Sequence, residues 1–146
     1  MNRRTPRIFR NQSGVAAVEF ALVLPILCFV LLGIIDGWSF VSHSLSMRAG
    51  VKTAANLLMA GAANDTATQA IALSSWDRHP EDAQVTMVRE YMCGSTLVDS
   101  TSLCAGPKVP MILVRIQATA TWVPPFAFGS FLEPRTISHQ EVIRVR

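Results

Sequence analysis

Apolar residues run without a charge from Phe20 to Ile35 (FALVLPILCFVLLGII), interrupted only by Pro25 and Gly33. Counted from Val15 to Ile35 the stretch is 21 residues, roughly 31 Å as a helix at ~1.5 Å per residue, which matches the hydrocarbon core of a bilayer. The pattern predicts a transmembrane helix over 15–36. Beyond it, in WSFVSHSLSMRAGVKTAANLLMAGAAN, the apolar residues Val41, Leu45, Val51, Ala55, Leu58 and Ala62 recur at helical spacing. Ser42, His43, Ser46, Lys52, Thr53 and Asn56 fill the positions between them. This predicts an amphipathic continuation over 37–62 that ends near Gly61, one helix of roughly 70 Å in all. Gly37 and Gly50 mark where a break would fall.

The remaining residues, 63–146, read as a small α+β domain. Residues 64–78 are small and polar around TATQAIALSSW, either a short helix or a loose connection. His79-Pro80-Glu81-Asp82 reads as a helix start, with Ala83, Val85, Met87, Val88 and Met92 as its apolar positions and Gly94 as its stop. From Val114 the pattern alternates: Val114, Ile116, Ala118, Ala120 and Trp122 on one side, Arg115, Gln117, Thr119 and Thr121 on the other, a half-buried strand. Pro124-Pro125 ends it, and FAFGSFLEP is a turn-rich connection. Thr136 to Arg146 offers a second strand with Ile137, Gln140, Val142 and Val145 inward, a phase imperfect enough to suggest a bulge. The expected fold is a long N-terminal transmembrane and amphipathic helix carrying a pilin-like domain of one short helix, two antiparallel strands and one disulfide. The disulfide is expected between Cys93 and Cys104, which flank a Gly-, Ser- and Thr-rich loop in a domain too small to rely on its core alone. A redox-active pair is the alternative, although that chemistry favours the closer Cys-x-x-Cys spacing.

Charge adds orientation. Of the thirteen Lys and Arg, four (Arg3, Arg4, Arg7 and Arg10) lie in the first fourteen residues, which hold no Asp or Glu; the other nine face all ten acidic residues, a balance of −1. The chain beyond the leader therefore has no basic stripe for phosphates, and nucleic acid is not an expected partner. Arginines before the apolar run and none after it until Arg48 place the N-terminus in the cytoplasm and the rest across the membrane. A cleaved secretory signal is disfavoured because DGWSFVSHS after the run has no Ala-x-Ala site. Leu27 before Cys28 is too bulky for a lipobox, and Thr5-Pro6 after Arg3-Arg4 does not suit twin-arginine export.

One carboxylate, Glu19, enters a segment that otherwise excludes charge. Such a group costs about 2.5–3.5 kcal/mol at a membrane helix centre and less near the interface, so it signals a partner or a function; the plain alternative is an interfacial Glu touching headgroups. With Gly14-Val15-Ala16-Ala17-Val18-Glu19-Phe20 behind a short basic leader and ahead of ALVLPILCFVLLGIID, the N-terminus resembles that of type IV prepilins. In particular it is similar to the TadE-like minor pseudopilins of the tight-adherence (Tad/Flp) pilus system. The likeness is strong over residues 10–62 and only in outline beyond. Asp36 stands where Glu is more usual, and Gly37-Trp38-Ser39 replaces the commoner aromatic-glycine-arginine ending.

The resemblance implies that a prepilin peptidase cuts between Gly14 and Val15, removing leader 1–14 and leaving Glu19 as the fifth residue of the mature protein. The new α-amino group of Val15 lies about one turn from Glu19 on the same helix face, so the two can pair within a chain or between neighbours and offset the cost of burying either. In pilins that pair sets the register in which subunits assemble, with Phe20 beside it. Implied partners are the peptidase, the major Flp pilin, sister minor pseudopilins, the inner-membrane assembly platform and the lipid bilayer. Implied location is the inner membrane, with the C-terminal domain in the periplasm or in the pilus.

Other features read more plainly. Pro25 loosens or kinks the helix around 21–25, or is an ordinary membrane-helix proline. Gly33 and Gly37 form a GxxxG pair that either permits close helix approach or is chance. Cys28 reads as a small buried hydrophobe. His43, His79 and His139 have no metal-ligand spacing, and no phosphate loop or nucleophile motif is present. The expectation is therefore a non-enzyme without cofactor or metal, a Cys-His pair being available only if Cys93 and Cys104 are not joined. The reading that competes with a pilus-assembly protein is an uncleaved single-pass anchor whose exported domain binds an envelope partner or ligand.

Overall fold

The structure, a computed structural model, describes residues 13–106, 108–126 and 133–145. The basic leader up to residue 12 and most of the FAFGSFLEP connection lie outside the described residues.

The first helix, α1, spans Ser13–Met59 without interruption, 47 residues. Neither Gly37 nor Gly50 breaks it, and Pro25 sits inside it without ending it. A Pro in a helix forfeits one backbone bond and crowds the preceding turn, and the helix continues past it on the bonds of the turns on either side. Gly61, at φ +95°, closes the end of the helix, a conformation open to glycine without a side-chain penalty. The second helix, α2, spans Asp65–Ser74. Its N-cap is Asn64, whose side-chain oxygen accepts a hydrogen bond from Ala67 N at 3.0 Å, so within 64–78 the short helix is the outcome, followed by a turn over 75–78.

Four strands follow: β1 (Gln84–Cys93), β2 (Thr96–Val98), β3 (Met111–Trp122) and β4 (Arg135–Arg144), forming one antiparallel sheet in the order β2-β1-β3-β4. The helix expected from His79 to Met92 is instead β1. Pro80 and Asp82 sit in a turn, closed by Ala83 N donating to Pro80 O at 3.0 Å. Asp82 accepts from the backbone N–H of Thr121 at 2.9 Å and so pins the entry of β1 against β3. Val85, Met87, Arg89 and Tyr91 alternate toward the helices opposite Ala118, Ile116, Val114 and Ile112. Gly94 does not stop a helix. At φ +66° it makes the two-residue turn into β2, the glycine-first arrangement that tight hairpins favour.

β3 keeps the expected phase, with Val114, Ile116, Ala118, Ala120 and Trp122 all buried. β4 runs in unbroken register from Arg135 opposite Trp122 to Arg144 opposite Leu113, so no bulge is needed. Its inward set is Ile137, His139, Glu141 and Ile143, while Val142 and Gln140 face outward. The expected inward set slipped by one position in mid-strand, at Gln140 and Val142, because the two residues that do point inward there, His139 and Glu141, are polar.

The core lies between the inner face of the sheet, the outer half of α1 and α2. Met47, Val51, Ala54, Ala55 and Leu58 of α1 are buried, together with Ala72 and Trp76 after it. Val41 and Leu45, expected on the packed face, are exposed, because the face that meets the sheet runs through Asp36, His43, Met47 and Val51 instead. Gly50 lets α2 approach: a Cβ there would stand 2.8 Å from the carbonyl oxygen of Ala72. Arg89 donates from Nε and a terminal nitrogen to both carboxylate oxygens of Asp65, tying β1 to the first turn of α2. That paired guanidinium, through its hydrogen bonds and then its charge, holds the Asp65 carboxyl below its ordinary value against the opposing effect of burial. At the far end of the sheet the Cys93–Cys104 disulfide joins the end of β1 to the following loop, its Cα atoms 5.4 Å apart. The bond is the expected one, and neither sulfur is a free thiol.

Candidate functional site

Two sites follow from the helix. The first is its apolar inner half, a segment long and apolar enough to cross a membrane and with none of its most hydrophobic window buried by the rest of the chain. Gly14 and Val15 lie on its first turn, Val15 58% exposed. Nothing stands within 4 Å of where a Cβ on Gly14 would be. A glycine inside a helix costs about 1 kcal/mol relative to alanine, and at this position no packing among the described residues accounts for it.

Glu19 is exposed, and among the described residues it has no hydrogen-bond or ion-pair partner. Phe20 beside it is exposed as well. Among the described residues nothing stands within 4 Å of where a Cβ on Gly33 or Gly37 would be. Cys28 is exposed on the helix surface, not buried within the fold. The inner half thus presents its whole circumference, with a single carboxylate one turn from the expected processing bond.

The second site is where the helix meets the sheet. Asp36, which closes the apolar run, has 0% of its surface exposed. Its Oδ1 accepts from the backbone N–H of Phe126 at 3.1 Å, while among the described residues Oδ2 has no hydrogen-bond partner. Just above, Trp122 Nε1 donates to Ser39 Oγ at 3.3 Å, and its ring stands edge-on to Phe40 at 5.2 Å. His43 Nδ1 lies 2.9 Å from the carbonyl oxygen of Ser39; a carbonyl only accepts, so the ring nitrogen donates. Sequence reasoning recognised Asp36 as the acidic end of the run and gave it no role. The signal was the one that singled out Glu19, a carboxylate where apolar residues end.

The histidines stay apart from one another in function: His43 caps a helix carbonyl, His79 lies in the turn beside Trp76, and His139 alternates on β4. Among the described residues no three His, Cys, Asp or Glu side chains are grouped to hold a metal ion. An open groove of about 540 Å³ runs between α1 and β4, lined by Phe40, Leu45, Arg48, Arg135 and Ile137 among others.

Compared with known proteins, residues 14–56 match the model of a family described as TadE-like protein. The match begins at the expected processing bond, takes in the apolar run with Glu19 and Asp36, and ends in the packed outer half of α1, under a third of the chain. No curated protein and no solved structure matches the chain.

Proposed function

We propose, on the premise that residues 14–56 make this a TadE-like protein of the Tad pilus system, that it is a minor pseudopilin required for assembly of a Tad/Flp-type adhesive pilus. Prepilin peptidase cuts at Gly14–Val15, and the mature protein stays in the inner membrane by residues 15–36 or passes into the pilus. Residues 63–146 lie on the periplasmic side, where an oxidising compartment suits the Cys93–Cys104 bond.

The observation that carries this reading is Glu19. Among the described residues that carboxylate has no partner, and it is exposed, although it stands in a segment where a charge is costly. Processing supplies the missing partner: the α-amino group of Val15, of the same chain or of a neighbour, four residues away along the helix. Gly14 supports the same reading, since among the described residues nothing packs over it, and a missing side chain suits a peptidase that must reach the bond. Gly33 and Gly37 supply a flat strip for the helix of another subunit, the major Flp pilin or a sister minor pseudopilin, at the assembly platform. The uncleaved-anchor reading has no use for Glu19 or Gly14.

The test is mass spectrometry of the N-terminus of protein recovered from membranes, with and without the host's prepilin peptidase. A chain that begins at Val15 only when the peptidase is present is the expected result. Retention of Arg3 to Gly14 in both would make the protein a plain anchor and move its function to residues 63–146.

A further inference from the structure

The globular part does not hang clear of the helix on a linker. Among the described residues its lowest hydrogen bond to the helix runs from Phe126 N to Asp36 Oδ1 at 3.1 Å, and Asp36 is the first residue after the apolar run. Helix side chains lean toward the N-terminus, so this bond brings the backbone at Phe126 level with the last apolar turn or below it. Trp122, held to Ser39 and Phe40, fixes the same corner from above.

What the corner shows to the outside is apolar. Val123 is 60% exposed and Phe126 49%. Ile34 and Ile35 of the helix are exposed at the same level, and Trp38, roughly half a turn round the helix from Asp36, is 73% exposed. Arg135 at the start of β4 lines a small cavity with Gly33, Gly37, Phe40 and Trp122, which puts the residue near this height too. The other charges near this level are Arg78 beside Asp77 on the opposite flank, and exposed Glu133 near Arg135 in sequence.

A run of 21 residues from Val15 crosses roughly 31 Å, the hydrocarbon core, and the interfacial layers add about 5–7 Å on each side. Residues level with Asp36 therefore fall in the interfacial layer, where indole rings are enriched and where apolar side chains beside arginine are well placed. We propose that this corner is a lipid-facing floor. Val123, Phe126 and Trp38 enter the interfacial layer while Arg135 meets lipid phosphate, so the globular part rests on the bilayer. The inference rests on the reading of residues 15–35 as the membrane span.

The test uses the full chain carrying Cys28→Ser, with Cys93–Cys104 kept closed, in nanodiscs of phosphatidylcholine and phosphatidylglycerol. Single nitroxide labels are placed at Val123→Cys and Phe126→Cys, with Leu22→Cys as the span reference and Leu97→Cys, exposed on β2, as the water reference. Collision rates with oxygen and with a water-soluble nickel complex are then compared. The expected result is an oxygen-to-nickel ratio at 123 and 126 several-fold above that at 97 and approaching that at 22. Ratios equal to position 97, with position 22 in lipid, overturn the floor and leave the membrane reading standing. Shielding at 123 and 126 from both reagents also overturns it, in favour of a second protein copy on the corner. Nickel access at position 22 removes the span and the floor together. Both labelled positions are exposed and outside the core, so either reports if the other variant misfolds.

Discussion

Between Val15 and Ile35 every residue of α1 except the half-buried Leu32 is exposed, whereas in the outer half Met47, Val51, Ala54, Ala55 and Leu58 are nearly sealed. The backbone is the same unbroken helix throughout. The difference lies in the sizes and polarity around the cylinder. The inner half carries Leu, Val, Ile and Phe on all sides, which no single sheet can cover, and a helix apolar all round needs an apolar medium. The outer half sets Gly50, Ala54 and Ala55 against Lys52 and Asn56, so one side allows close approach and the other meets water. One helix thus carries two surfaces, an uncovered apolar one and a packed one, with Asp36 at the change.

Matched substitutions in the two halves test that contrast. The largest effect is expected from Leu58→Ala, which leaves a cavity in the core and should cost about 2–5 kcal/mol. Leu22→Ala should leave the unfolding of the globular part unchanged. Urea unfolding of both variants in detergent micelles measures this, and equal losses would break the division between the halves.

Glycine gives the next comparison. Gly50→Ala drives a Cβ to 2.8 Å from Ala72 O, so α2 must shift, at about 1–3 kcal/mol. Gly33→Ala meets nothing within 4 Å and should leave that transition unmoved, while lowering piliation if another subunit's helix packs there. The two carboxylates form a third pair. Asp36→Ala removes the acceptor for Phe126 N and should cost about 1–2 kcal/mol. Glu19→Ala should leave both unfolding and processing intact and reduce pilus number; undiminished piliation would remove its assigned role.

The smallest effect concerns acid. Because Arg89 holds Asp65 below its ordinary value of 3.8, the pair's contribution is complete above that pH and is lost as pH falls through the lower folded value. Arg89→Ala should therefore flatten part of the loss of stability below about pH 3.8, as read by thermal melts across an acid series. It acts in the outer half only, since Asp65 and Arg89 join α2 to β1.

The sequence by itself determined the long helix, because an apolar run without a charge from Phe20 to Ile35 and a following 3.6-residue pattern are local signals. It also determined β3, whose strict alternation needs no partner to be read, and the Cys93–Cys104 bond, whose sulfurs are close in sequence. Only the tertiary structure decided the rest. In β1, Pro80, Glu81 and Asp82 mimic a helix start, and the outcome turned on Val85, Met87, Arg89 and Tyr91 having β3 to pair with. On β4, polar His139 and Glu141 face inward because the ladder fixes their side, whatever their polarity. On α1, the packed face passes through Met47 and Val51 and leaves Val41 and Leu45 outside, since periodicity finds an apolar stripe but does not say which stripe the sheet will meet. The role of Asp36 was decided there as well: its partner is ninety residues away in the chain, a separation at which only the fold brings groups together.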